Sequence, residues 1–192
     1  MSYIQRRRFL WMVFLVGLAV LALIAVLTNA TTLVRLPFED LAQRSTAIAR
    51  LRCVGSLSRW DKGELWTETR FDVLEMHKGL LSRLVTVRTL GGHDGHLRSH
   101  VDGVPAFTTG EEVYLFLWGQ PDEPYRVLGW SQGTFRIARN GVTGMESVTQ
   151  DSAAASVFDP QRREFRRGGI RNLPVAIFQL RLRKALEEKN RS

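Results

Sequence analysis

The sequence predicts a mainly β protein, one small antiparallel barrel or sandwich that follows a long apolar N-terminal segment. Short runs of alternating apolar and polar residues recur from Ala47 onward, with the period of half-buried strands. Glycine-rich connections separate these runs, as is typical of small all-β domains. Removing the N-terminal segment leaves roughly 160 residues, enough for one hydrophobic core. We therefore expect a single β domain with tails.

The N-terminal segment Phe9–Leu27 contains no charged residue and directly follows Arg6, Arg7 and Arg8. A helix of this length is about 28 Å long, close to the hydrocarbon thickness of a bilayer. Positive charge before it keeps that end in the cytoplasm, so the rest of the chain is expected beyond the membrane. Two alternatives stay open: a retained transmembrane anchor, or a signal peptide cleaved after Ala30. General secretion and twin-arginine export also both stay open.

The elements that follow are predicted from their spacing. Pro37 stands at the start of a short helix whose first turn holds Glu39 and Asp40. The first strand begins at Ala47, where the period changes to two. Later strands are predicted at residues 66–77, 83–90, 113–118, 125–128 and 134–138. The run 113–118 is apolar on both faces, which predicts the central strand and places Tyr114, Phe116 and Trp118 in the core.

Four segments divide the chain. Residues 1–30 form the arginine-rich stub with the transmembrane or signal helix, and 31–148 form the β domain. Residues 149–171 are rich in alanine, arginine and glycine, which predicts a mobile linker. Residues 172–192 hold a C-terminal amphipathic helix with the apolar stripe Val175, Phe178, Leu182 and Leu186. Whether this helix packs on the β domain or lies on lipid stays open.

The net charge of +8 belongs to the two ends of the chain. Arg6 to Arg8 contribute +3, and from Gln161 onward ten basic residues against three acidic ones contribute +7, so residues 9–160 carry about −2. A nearly neutral domain lacks the positive groove of nucleic-acid-binding proteins, and we expect no nucleic-acid partner. The basic C-terminal segment leaves open a contact with anionic lipid. Cys53 is the only cysteine, so it forms no intramolecular disulfide, and its apolar alternation predicts a buried thiol.

Several segments resemble an uncharacterised family of exported bacterial proteins and, more distantly, the OB-like barrel of tissue inhibitors of metalloproteinases and netrin modules. The matching residues are Val54-Gly55, Phe71–Val73 with Lys78-Gly79, Gly110–Leu117 and Gly129–Phe135. The resemblance covers most of residues 37–138. It implies a closed barrel of five or six strands and a non-enzymatic role in protein binding. The inhibitors chelate zinc through an N-terminal cysteine that this chain lacks. The resemblance therefore does not imply that this chain inhibits proteases.

One short motif suggests catalysis by its letters alone. Gly129–Gly133 reads G-x-S-x-G, the pattern of a nucleophile elbow centred on Ser131. That elbow needs a helix after the serine and a histidine later in the chain, whereas here a β pattern follows and all four histidines precede Ser131. We expect no catalytic residue.

Two sets of residues remain as binding candidates. His93, His96 and His100 are suitable ligands for zinc, nickel or copper, but their glycine-containing loop needs ordering and no second cluster completes a site. The exposed aromatic candidates are Trp60, Trp66 and Trp130. The sequence therefore predicts an exported or membrane-anchored binding or assembly module of the bacterial envelope that uses no cofactor. The partner would be a protein that the sequence does not identify. A metal-binding protein that uses residues 93–100 is the alternative.

Overall fold

The computed structural model describes Trp11 and residues 33–188. The chain divides into two compact units, Met1–Thr32 and Leu33–Ser192, and the fold described here is that of the second. Apart from Trp11, the predicted membrane segment Phe9–Leu27 lies outside the described residues. Within the described part of the chain, no helix has both the length and the apolar character needed to cross a bilayer.

The second unit is mainly β, with 48% of the structure in strands and two α-helices, which confirms the predicted class. The helices are α1 (Phe38–Arg44) and α2 (Val175–Glu188). The strands are β1 (Ala47–Asp61), β2 (Glu64–Lys78), β3 (Leu84–Leu90), β4 (Gly92–Asp94), β5 (Leu97–Ser99), β6 (Glu112–Trp118), β7 (Arg126–Val127), β8 (Thr134–Arg139), β9 (Glu146–Gln150), β10 (Ser156–Asp159), β11 (Glu164–Arg167) and β12 (Leu173–Pro174). The two short helices therefore flank a β domain that accounts for most of the unit.

Eight of these strands form one antiparallel sheet in the order β12-β9-β8-β6-β1-β2-β3, with β7 also paired to β6. The strand β1 is central to it, because its first half pairs with β6 and its whole length pairs with β2. Two separate hairpins, β4–β5 and β10–β11, stand outside this sheet. Every pairing between these strands is antiparallel, as expected of a sheet built from short connections.

Each face of the sheet buries its own apolar cluster. Alternation along the strands turns one set of residues to the inner face, where the curled sheet encloses them: Ala47, Ala49, Leu51, Cys53, Phe71, Val85, Val87, Val113, Leu115, Leu117, Tyr125 and Val127. The opposite face is covered by the two helices, and the residues buried there are Phe38, Leu41, Ala42, Ile48, Tyr114, Phe116, Phe135, Val148, Phe178, Leu182 and Ala185. The strand β6 is therefore apolar on both faces because both are covered.

The predicted closed barrel is not formed. The sheet has two free ends, β12 and β3, and the link between β3 and the β7 side is one isolated parallel bridge between Val87 and Tyr125. Closure fails because the edge of β6 is shared. Its residues 117–118 pair with the two-residue β7, whereas residues 113–115 pair with β8, which leads the sheet away towards β9 and β12. A two-residue strand supplies too few ladder bonds to seal a barrel.

The Lys78-Gly79 pair joins α1 to the sheet. The Nζ of Lys78 donates 2.8 Å hydrogen bonds to the carbonyl oxygens of Ala42 and Gln43, which lie in the last turn of α1. Gly79 has a φ of 74°, and a Cβ at this position would lie 2.3 Å from the carbonyl oxygen of Thr46. A lysine near the carboxyl end of a helix also opposes the negative end of its dipole. The pair that carried part of the sequence resemblance thus has a structural role.

The segment predicted as a linker, 149–171, carries regular structure. It contains the end of β9, a 3₁₀ turn at Asp151–Ala154 and the hairpin β10–β11. The hairpin is held by main-chain hydrogen bonds to the start of the unit, from the Phe158 N–H to the Leu33 oxygen and from the Arg35 N–H to the Phe158 oxygen, both 2.8 Å. Pairing between segments this far apart in the chain does not produce a local periodic pattern in the sequence.

Candidate functional site

Two tryptophans and two arginines form a mixed cluster on the outer face of the sheet, which we name the tryptophan–arginine patch: Trp66, Arg88, Trp118 and Arg126. The guanidinium carbon of Arg88 lies 4.5 Å from the ring centroid of Trp66. The guanidinium carbon of Arg126 lies 5.2 Å from Trp66 and 5.8 Å from Trp118. These distances are within the range of cation–π attraction, so the four side chains stack into one surface.

Strand register places these four side chains on the same face. Trp66 lies opposite Arg59 in β1 and Leu90 in β3, and Trp118 lies opposite Arg126. Directly opposed residues share a face, and Leu117, next to Trp118, points into the inner cluster. Trp118 therefore points outward, beyond the part of β6 that the helices cover. Each of the four residues comes from a different strand: β2, β3, β6 or β7.

The charge of the patch is only partly compensated. Arg88 donates a hydrogen bond to the Asp61 carboxylate, and this bond lowers the pKa of Asp61. Arg126 is exposed and has no carboxylate partner among residues 33–188. Two cations against one anion leave the surface positive, while the two indoles contribute apolar area. Arginine and tryptophan are the residue types that most often dominate the binding energy of protein interfaces.

Of the three tryptophans predicted as candidates, the structure places Trp66 alone in the patch. Trp60 is 49% exposed but lies opposite Leu65, on the other face of the β1–β2 hairpin. Its Nε1 donates a 2.6 Å hydrogen bond to Asp94. Trp130 is half-buried in the 3₁₀ turn Trp130–Gly133, with a φ of 54°. Trp118, which the sequence assigned to the core, is 46% exposed.

The predicted histidine set does not converge. His93 lies in β4, opposite Arg98 of β5, whereas His96 lies in the turn and His100 follows β5. His100 faces Asp102 at 3.5 Å, and both side chains are largely exposed. Within the described part of the chain, no three histidine, cysteine, aspartate or glutamate side chains are grouped closely enough to hold a metal ion.

The G-x-S-x-G segment forms a turn between two strands. Ser131 lies in the 3₁₀ turn that precedes β8, and its N–H donates to the carbonyl oxygen of Gly103 at 2.9 Å. A Cβ at Gly133 would lie 2.1 Å from the oxygen of Leu128, so the second glycine is required by close backbone packing. A nucleophile elbow places the serine before a helix, and here a strand follows. The motif thus serves the turn that separates β7 from β8.

A cavity of about 310 Å³ lies beneath the β4–β5 hairpin. Four of its hydroxyl groups are paired with one another: Ser56 with Thr69 at 2.8 Å, and Ser58 with Thr67 at 2.9 Å. Thr67 also donates to the oxygen of Gly91 at 2.7 Å. These four hydroxyl groups are therefore already satisfied within the protein.

Comparison of the chain with protein-family models, curated proteins and solved structures found no match.

Proposed function

We propose that the protein is a non-enzymatic binding module of the bacterial cell envelope, and that the tryptophan–arginine patch is its protein-binding surface. The observation that carries the proposal is the stacking of Trp66, Arg88, Trp118 and Arg126 on one face with an excess positive charge. Trp118 and Arg126 are exposed on this face, whereas Trp66 and Arg88 are half-buried. The partner would present carboxylates to Arg126 and an apolar surface to the indole of Trp118. Interfaces of this composition combine a desolvated aromatic centre with charge-assisted hydrogen bonds.

The location is part of the same proposal. Phe9–Leu27 would cross or enter the cytoplasmic membrane and deliver the domain to its outer side, where it stays anchored or is released by cleavage near Ala30. A fold that has no disulfide to form needs no oxidation after export. The single cysteine, Cys53, is buried in the described unit and fits this location.

We also propose that β1, β2, β3, β6 and β7 are a partly open OB-like unit of the kind found in metalloproteinase inhibitors and netrin modules. The support is that these five strands enclose one apolar cluster. In addition, Tyr125 makes two main-chain hydrogen bonds to β3, to the oxygen of Thr86 at 2.9 Å and from the N–H of Arg88 at 2.7 Å. OB folds are five-stranded and often incompletely closed.

Site-specific photocrosslinking in cell envelopes tests the binding surface. A photoreactive phenylalanine at position 118 keeps an aromatic ring in the patch. The matched control is position 60, because Trp60 has nearly the same exposure on the opposite face. We expect a discrete protein adduct from position 118, weakened by Arg126→Ala, and none from position 60. Equal adducts from both positions, or an adduct insensitive to Arg126→Ala, would contradict the assignment.

A further inference from the structure

The β10–β11 hairpin is an exposed basic element at the start of the folded unit. Its Phe158 exchanges main-chain hydrogen bonds with Leu33 and Arg35. Leu33 follows the end of the apolar segment at Leu27 by six positions, with five residues between them. An extended chain of that length spans at most about 20 Å. Any membrane that holds residues 9–27 is therefore within reach of the hairpin.

The two faces of the hairpin differ in chemistry. Phe158 lies opposite Phe165, with ring centroids 5.4 Å apart, and Ser156 lies opposite Arg167. Because neighbouring residues of a strand alternate, Phe165 and Arg167 share the outer face, and Phe165 is 62% exposed. The other face carries Val157 and Asp159, which are buried against the domain.

The positive charges on the outer face and at the tip have no carboxylate partner among the described residues. Arg162 and Arg163 lie in the exposed turn, and Arg167 ends β11. The two acidic residues of the hairpin are already engaged, since Asp159 pairs with Arg35 at 3.1 Å and Glu164 pairs with Arg166 at 3.3 Å. The outer face and the tip together thus present the exposed ring of Phe165 beside three cations that no carboxylate among the described residues pairs.

The basic surface continues into a cavity of about 370 Å³ next to the hairpin. Its lining includes Arg35, Arg171 and Arg181, of which Arg35 is paired with Asp159 and Arg181 with Glu39 at 3.0 Å. Arg171 donates to the carbonyl oxygen of Ala153 and has no carboxylate partner within residues 33–188. Of these three arginines, Arg171 therefore has the charge that no carboxylate compensates within the described residues.

We propose that this hairpin docks on the surface of a bilayer that contains anionic phospholipid. Phe165 enters the interface between headgroups and acyl chains, and Arg162, Arg163 and Arg167 bind headgroup phosphates. Exposed aromatic side chains beside clustered arginines are the composition of interfacial membrane-binding elements. The inference rests on the proposed membrane location and adds a second contact, made by the folded domain itself.

Fluorescence of the full chain in nanodiscs tests this docking. A Gln161→Cys substitution at the tip carries an environment-sensitive dye, and Val142→Cys in the β8–β9 loop, 97% exposed, is the reference position. Cys53 is buried and does not compete for the label. In nanodiscs with phosphatidylglycerol we expect blue-shifted emission at position 161, protected from iodide, and water-like emission at 142. Nanodiscs of phosphatidylcholine alone should leave both dyes water-like.

Variants within the hairpin distinguish docking of its outer face from a non-specific effect of its positive charge. Phe165→Ser and Arg167→Gln should abolish the blue shift. Arg166→Gln should retain it, because Arg166 points to the other face and is paired with Glu164. Water-like emission at 161 in anionic nanodiscs, or an equal loss with Arg166→Gln, would overturn the proposal. A chain that does not co-elute with nanodiscs refutes both the anchor and the docking, whereas co-elution with an exposed position 161 refutes docking alone.

Discussion

The C-terminal helix α2 should be an integral part of the core, and truncating Phe178 should reveal this. The Phe178 ring is fully buried, with ring centroids 4.8 Å from Tyr114, 5.2 Å from Phe135 and 5.6 Å from Phe38. Burial of this extent makes a Phe→Ala change cost about 3–5 kcal/mol of unfolding free energy. For a domain of this size, that loss lowers the melting temperature by roughly 6–20 °C.

Urea unfolding of the chain from Leu33 onward measures this loss. We expect Phe178→Ala to lower the transition midpoint at nearly constant m value. Leu180→Ala is the matched control, because Leu180 is exposed on the same helix. It should change the stability by no more than about 0.5 kcal/mol. A loss below about 1 kcal/mol for Phe178→Ala, or an equal loss for Leu180→Ala, would refute packing of α2 on the sheet. It would instead favour the alternative that the helix lies on lipid.

Four further results are expected. Burial lowers the pKa of His77. The charge of Glu75 opposes this shift, and the charge of Arg183 adds to it. The unfolded chain therefore binds the proton first, and stability should fall as the pH drops below 6.5, an effect that His77→Gln should remove. Hydrogen bonds from Arg50 and Arg139 lower the pKa of Glu146 to about 2. This carboxylate therefore stabilises the fold above its ordinary pKa of 4.5, the stabilisation is lost as the pH falls towards 2, and NMR titration should show the pKa rising in Arg50→Gln. Cys53 should resist thiol reagents until the protein unfolds, and mass spectrometry of labelled protein along a urea series checks this. Gly133→Ala should cost at least about 2 kcal/mol in thermal unfolding, because its Cβ would meet Leu128, whereas Gly141→Ala has open space and should be neutral.

Local periodicity predicted the early strands and the buried faces well. The predicted start at Ala47, the alternation through Cys53 and the strand ranges 83–90 and 134–138 agree with the structure to within a residue or two. Each of these strands buries one face, so every second residue is apolar and the alternation is visible in the sequence. The stripe of Phe178 and Leu182 was also visible in the sequence, but whether it faced sheet or lipid was not, because both are apolar surroundings.

The elements that the sequence did not predict depend on pairing with residues far along the chain. The strand β9 and the hairpin β10–β11 contain isolated apolar residues among polar ones, and their pairing with β8, β12 and residues near Leu33 sets their structure. Barrel closure was predicted from resemblance, but the length of β7 and the sharing of β6 decide it. Tertiary pairing of this kind overrides local propensity.

The candidate site shows the same limit. Trp66 was predicted as an exposed aromatic, but its stacking with Arg88 and Arg126 requires three strands in register. Trp118 closes an apolar run and was assigned to the core with the rest of it. A usable signal was its position as the last residue of that run, followed by Gly119 and a turn. Strand ends often extend beyond the layer that covers the middle of a strand.

Labelling of intact spheroplasts tests the central claim, that the folded domain lies outside the cytoplasmic membrane. The full chain with Val142→Cys offers one exposed thiol, since Cys53 is buried. A membrane-impermeant maleimide should label position 142 in intact spheroplasts as completely as after lysis. Labelling only after the membrane has been opened would place the domain in the cytoplasm and contradict the account.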